Sequence, residues 1–216
     1  MPGLGASPEI FEFLNFNKGI ELIKLSWIPP KSNEKISDYA LRMSKKIIHK
    51  DPYVMGVSFG GLLVQEMSRH IKFKKIIIVS SIKSNKEMPF SMIMAKKTKA
   101  YLMFPSKWIN NLEDLVSFVF GKLVKRRIKL YKKYLSERDP KYLSWAINEL
   151  INWNRTKFSE KIIHIHGDKD NIFPISKIKN PIIIKGGNHA MILIKSSWFN
   201  KNLPLILQDD FLRKNN

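Results

Sequence analysis

The stretch Gly56-Val57-Ser58-Phe59-Gly60-Gly61 limits this chain more than any other. It stands between an apolar run at 53–57 and a second apolar run that continues to 71 with helical spacing. Gly-x-Ser-x-Gly in that setting predicts a tight strand-to-helix turn that lifts a serine above a sheet. The turn leaves no room for Cβ atoms at Gly56 and Gly60, where strand and helix must pack closely.

The flanks extend this pattern in both directions. Residues 2–7 read as a glycine-rich loop, with Ser7 as N-cap and Pro8 in the first turn of a helix. A strand is predicted over 20–27, stopped by Pro29 and Pro30, and a helix over about 33–48 with Ile36, Ala40, Met43 and Ile47 on one face. After the serine turn and its helix, 75–79 is almost continuously apolar and suits a buried parallel strand. Strands alternating with helices predict an α/β fold with a mostly parallel sheet flanked by helices.

From about 88 to 153 the alternation stops. Helical patterns cover 90–103, 112–120, 122–135 and 140–153, with Asn111 and Asp139 placed as N-caps and Gly121 as a stop. A helical cap insertion over a site is expected here, although the last of these helices could rejoin the core layer. Strands resume at 161–166 and 181–185, with a helix starting near Ala190 and a partly helical tail from 198. At 216 residues, one domain covering 1–216 is the expectation.

Composition removes several function classes. The chain has no cysteine, so it makes no disulfide and no thiolate metal site. No run reaches the ~18 apolar residues that a membrane-spanning helix requires. The opening residues lack a basic segment followed by an apolar one, so no secretory signal is expected and a cytoplasmic location is the default. The formal charge of +20 raises nucleic acid or an anionic membrane as partners. Only seven of the 38 basic residues are arginine, the type suited to bidentate phosphate and base contacts. The lysines are also spread along the whole chain, so no specific nucleic-acid partner is expected.

In an open parallel sheet, functional residues gather beyond the C-terminal ends of strands. Ser58, Asp170 and His189 all fall there. A serine hydroxyl attacks only when a histidine takes its proton, and a buried carboxylate fixes that imidazole and stabilises its cation. Asp168 competes with Asp170 for the acid position, its other reading being a turn residue that bonds nearby backbone. His164 and His166 share one face of a strand. A zinc pair is one reading, but no third ligand is evident, and hydrogen-bonded strand histidines are the simpler one. His49 and His70 lie near helix ends, where the helix dipole accounts for them.

Three motifs together resemble the α/β-hydrolase superfamily: Gly56 to Gly61, the acid-loop pattern His166-Gly167-Asp168-Lys169-Asp170-Asn171-Ile172-Phe173-Pro174, and Gly186-Gly187-Asn188-His189. Pro2-Gly3-Leu4-Gly5 resembles the family's oxyanion loop, with proline where many members have histidine. The resemblance implies Ser58 as nucleophile, His189 as base and Asp170 as the acid that orients it. It also implies an oxyanion hole from the backbone N–H groups of Leu4 and Phe59. The implied activity is cleavage of a small carboxylic ester or thioester through an acyl-enzyme, with no cofactor and no metal. A catalytically silent or truncated binding protein of the same fold is the alternative. The 19-residue gap from Asp170 to His189 is short for the family, so the helix usual there is expected to shrink to a turn near 174–177. Family members also carry a strand just before the oxyanion loop, between the strands expected here at 20–27 and 53–57. Without it, those two strands must close up, or the start at Met1 is internal to a longer protein.

Overall fold

The computed structural model describes residues 1–16, 19–103 and 133–208. Among these residues, four strands form the sheet: β1 (Val54–Val57), β2 (Ile76–Val79), β3 (Ile162–Gly167) and β4 (Ile182–Ile184). They lie in the order β1-β2-β3-β4, and every pair is parallel. Each stands within about two residues of its position in the sequence pattern.

Parallel strands need crossovers, and these supply the layers on both faces. One face carries α1 (Ile36–Ser44), α2 (Phe59–Met67) and α4 (Pro140–Asn152). The other carries the 3-10 turn Pro8–Phe11 and the helices α5 (Met191–Ile194) and α6 (Ser196–Leu207). Side chains of β2 alternate between the two: Ile76 and Ile78 join the first core, Ile77 and Val79 the second. All four are buried, which is why this strand is apolar without interruption.

Every residue of α2 is buried. Its two polar members are both hydrogen-bonded: Gln65 Nε2 donates to the Gly61 and Ile82 carbonyls, both at 2.9 Å, while its Oε1 has no partner among the described residues, and Glu66 accepts from Trp153 Nε1 at 3.0 Å. Helix α3 (Phe90–Thr98) runs into a 3-10 turn, Ala100–Met103. Helix α4 starts where Asp139 accepts the Tyr142 N–H at 2.8 Å. Its Leu143, Ala146 and Leu150 enter the first core beside Tyr39 and Leu62, so this helix packs on the sheet layer. The helices expected at 112–120 and in most of 122–135 lie outside the described residues. Among the described residues, no helix is long and apolar enough to cross a membrane.

The segment 20–27 is not a strand. Its apolar side chains divide between the cores: Ile20 and Leu22 go to the second, Leu25 and Trp27 to the first. Of the two alternatives, closing of this segment onto β1 does not occur: among the described strands β1 pairs only with β2. Met1 lies along β1 instead. Its ammonium donates to the Met55 carbonyl at 2.7 Å, and its carbonyl accepts from the Val57 N–H at 3.0 Å. Burial pushes that amine down to about 5. Helix α1 ends at Ser44, short of the expected 48, and Ile48 is exposed.

Candidate active site

Ser58 follows the last residue of β1 and caps α2, with φ 52° and ψ −122°. A non-glycine residue in this region is strained by roughly 1–3 kcal/mol and must be held by its surroundings. Three hydrogen bonds hold it. Its N–H donates to Val79 O at 2.9 Å, and its carbonyl accepts from Gly61 N–H and from Ser81 Oγ, both at 2.8 Å. The glycines leave the space that the turn requires. A Cβ on Gly56 would stand 2.2 Å from the Gly60 carbonyl oxygen, and one on Gly60 2.3 Å from that of Pro2.

The other two predicted residues meet Ser58 here. His189 follows β4 and Asp170 follows β3, both beyond the C-terminal ends of their strands. His189 Nε2 lies 2.9 Å from Ser58 Oγ. His189 Nδ1 lies 2.9 and 3.0 Å from the two Asp170 carboxyl oxygens. Asp170 Oδ1 also accepts from the Ile172 and Phe173 N–H groups, both at 2.9 Å. Asp168 faces elsewhere and accepts the Gly186 N–H at 2.6 Å, as a turn residue does. The turn expected between acid and base is the 3-10 turn Ile175–Lys177.

Asp170 is 4% exposed, and burial pushes its carboxyl up. The adjacent His189, its hydrogen bond, the Phe173 N–H and His166 outweigh that effect, so the carboxyl sits below its ordinary value. With Asp170 ionised, the Nδ1 of His189 must carry the hydrogen, leaving Nε2 free to accept from the serine hydroxyl.

Leu4 and Phe59 flank the serine. Phe59 is the first residue of α2, and Leu4 lines the same cavity as Ser58 and His189. Neither N–H has a backbone acceptor among the described residues. Gly3 presses on the elbow, where a Cβ would stand 3.2 Å from Ser58 Cβ. The loop is held by Trp27, whose Nε1–H is shared between the Gly3 and Ala6 carbonyls at 3.2 and 3.1 Å. The Trp27 ring stacks on Phe59 with centroids 5.4 Å apart. Sequence reasoning gave Trp27 only a place in a strand. A tryptophan just before two prolines carried no sign of this partner.

The cavity is about 40 Å³ in volume. Among the described residues its lining is apolar apart from Ser58 and His189, with Met92, Leu135, Leu150, Ile172 and Phe173 among its walls. His164 and His166 lie behind the acid rather than in the cavity. Among the described residues, no cluster of histidine, aspartate and glutamate suits a metal ion.

No protein-family model and no curated protein matches the chain. Solved structures do. A hydrolase from Oleispira antarctica superposes with a TM-score of 0.69 at 13% identity, covering 96% of this chain and 89% of the other. A thermophilic esterase from Thermogutta terrifontis gives 0.66 at 10% identity over 97% and 88%. An esterase from Rhodococcus gives 0.61 at 12% identity over 96% and 88%. The parallel sheet of the described residues, the helices on its two faces and these superpositions together show that the chain has the α/β-hydrolase fold.

Proposed function

We propose that this protein is a serine hydrolase that cleaves a small carboxylic ester or thioester through an acyl-enzyme. The observation that carries the reading is the continuous line of hydrogen-bonding atoms from Ser58 Oγ through His189 to Asp170. In this mechanism Ser58 Oγ attacks the acyl carbon while its proton passes to His189 Nε2. Asp170 stabilises the resulting imidazolium. The N–H groups of Leu4 and Phe59 bind the oxygen that becomes negative. His189 then gives its proton to the leaving alkoxide or thiolate. Water, deprotonated by the same histidine, releases the acid and restores Ser58.

The apolar cavity beside Ser58 favours an acyl group without charge, since a buried charge there would lack a partner. We propose that the helical region at about 88–153 contributes a cap to this cavity, with Met92 of α3 as a described part of its wall.

The test is labelling with a fluorophosphonate probe and turnover of short p-nitrophenyl esters. The intact chain is expected to label and turn over, and Ser58→Ala to do neither. Labelling that persists in Ser58→Ala would overturn the nucleophile assignment. A folded intact chain inert to both reagents would overturn the enzymatic reading.

A further inference from the structure

Two buried histidines stand in line behind Asp170. His164 and His166 alternate with Ile163 and Ile165 on β3, and both are essentially without solvent contact. His164 Nε2 lies 3.1 Å from His166 Nδ1. His166 Nε2 lies 2.8 Å from the Phe173 carbonyl oxygen and 3.5 Å from Asp170 Oδ2. The mechanism above uses neither ring.

The direction of this line follows from its end. A carbonyl oxygen only accepts, so His166 Nε2 must carry a hydrogen and donate it to Phe173 O. Burial disfavours the charged form of both rings and pushes both below the ordinary histidine value. A neutral His166 with hydrogen on Nε2 has a bare Nδ1, which accepts from His164 Nε2–H. That leaves His164 Nδ1 bare. That atom makes no hydrogen bond among the described residues. Asp170, His189 and Glu87 face His166, and Lys83 faces His164.

Phe173 is also the residue whose N–H donates to Asp170 Oδ1. His166 therefore grips the far side of the peptide run that grips the carboxylate. We propose that His166, oriented by His164, is a positioning residue for the candidate site: its Nε2–H pins the Phe173 carbonyl and lies against Asp170 Oδ2, which keeps the carboxylate aligned with His189 Nδ1. The pair of rings works as a strut between β3 and the acid loop. Its effect on turnover rests on the serine-hydrolase reading, whereas the alignment itself does not.

The experiment uses the intact chain with His166→Leu, which removes the donor, and His166→Gln, which restores an N–H at about the place of Nε2. Two readouts are taken. In ¹⁵N-histidine NMR the intact chain is expected to show His166 protonated on Nε2. The low-field proton signal of His189 Nδ1–H is expected to move upfield in His166→Leu and to return in His166→Gln. In ester turnover, His166→Leu is expected to lose on the order of 10²-fold in kcat with KM unchanged, as a misaligned reacting group does, and His166→Gln to recover most of it. A bare His166 Nε2 would overturn the proposal. So would an unmoved His189 signal in His166→Leu, or a folded His166→Gln that fails to recover the signal. If His166→Leu does not fold, the spectrum of the intact chain and that of His166→Gln still decide. An inert chain with the expected spectra would sink the hydrolase reading and leave the strut standing.

Discussion

Asp170 is a carboxylate kept charged in a buried place, and that gives it a stability signature. Its folded value lies below the ordinary carboxylate value of ~4. Above that pH the carboxyl is ionised in both folded and unfolded chains, and the interactions of the anion contribute in full. As the pH falls below it, the unfolded chain takes up the proton first, and the contribution declines until the folded value is passed. Urea unfolding of the intact chain and of Asp170→Asn should therefore differ by a constant amount above about pH 5 and converge below ~4. A difference that widens in acid would contradict the assignment. At neutral pH Asp170→Asn should lower kcat by roughly 10⁴-fold, the size seen when a base histidine loses its orienting acid. Trp27 acts on the other side of the serine. Trp27→Phe keeps the ring on Phe59 but leaves the Ala6 carbonyl without its donor, while the Gly3 carbonyl keeps only the Ala6 N–H. The expected cost is about 1–3 kcal/mol of stability. Ester turnover should fall further than the folded fraction does, because the loop bearing Leu4 is released.

Among the elements, close backbone approach and helix capping predict different penalties. A Cβ on Gly167, at the end of β3, would stand 2.1 Å from the Gly187 carbonyl oxygen, where β3 passes the loop that carries His189. Gly167→Ala should cost on the order of 3 kcal/mol and displace His189. Asp139→Ala, which removes the cap of α4, should cost about 1 kcal/mol and leave turnover unchanged. Thermal unfolding and p-nitrophenyl ester assays on the two variants check both statements. The sheet itself was legible in the sequence, because each strand is a short apolar run beside a helical one. The segment 20–27 was not. Its pattern of Ile20, Leu22, Leu25 and Trp27 reported burial correctly, but burial on two different cores looks the same in sequence as burial on one sheet face. Ser58, Asp170 and His189 were legible because each stands where a strand ends. The grip of His166 on Phe173 was only half legible. The alternation of His164 and His166 was visible, but the fold of the acid loop back over them was not.

Across the whole molecule, the site draws on two sections of chain that differ in reach. Asp170 and His189 are 19 residues apart and belong to consecutive strands. Ser58 and His189 are 131 residues apart, and their meeting depends on the complete sheet. The elbow in turn leans on the chain's first residues, since Gly60 fits beneath the carbonyls of Met1 and Pro2. Among the described residues the ion pairs are scattered instead: buried Glu34 pairs with Arg42, and buried Glu66 with Arg69 and Arg155. The difference in reach has a consequence for the order of assembly. Contacts near in sequence close cheaply and early, and distant ones wait for the intervening chain. During refolding, the acid and base should come together while the serine is still unattached. Pulse-labelling hydrogen exchange should protect the Phe173 amide before the Ser58 amide, with ester turnover returning only in step with the second. The molecule would then pass through a stage in which Asp170 and His189 are joined and Ser58 still stands apart, and on heating the same joint would be the first to part.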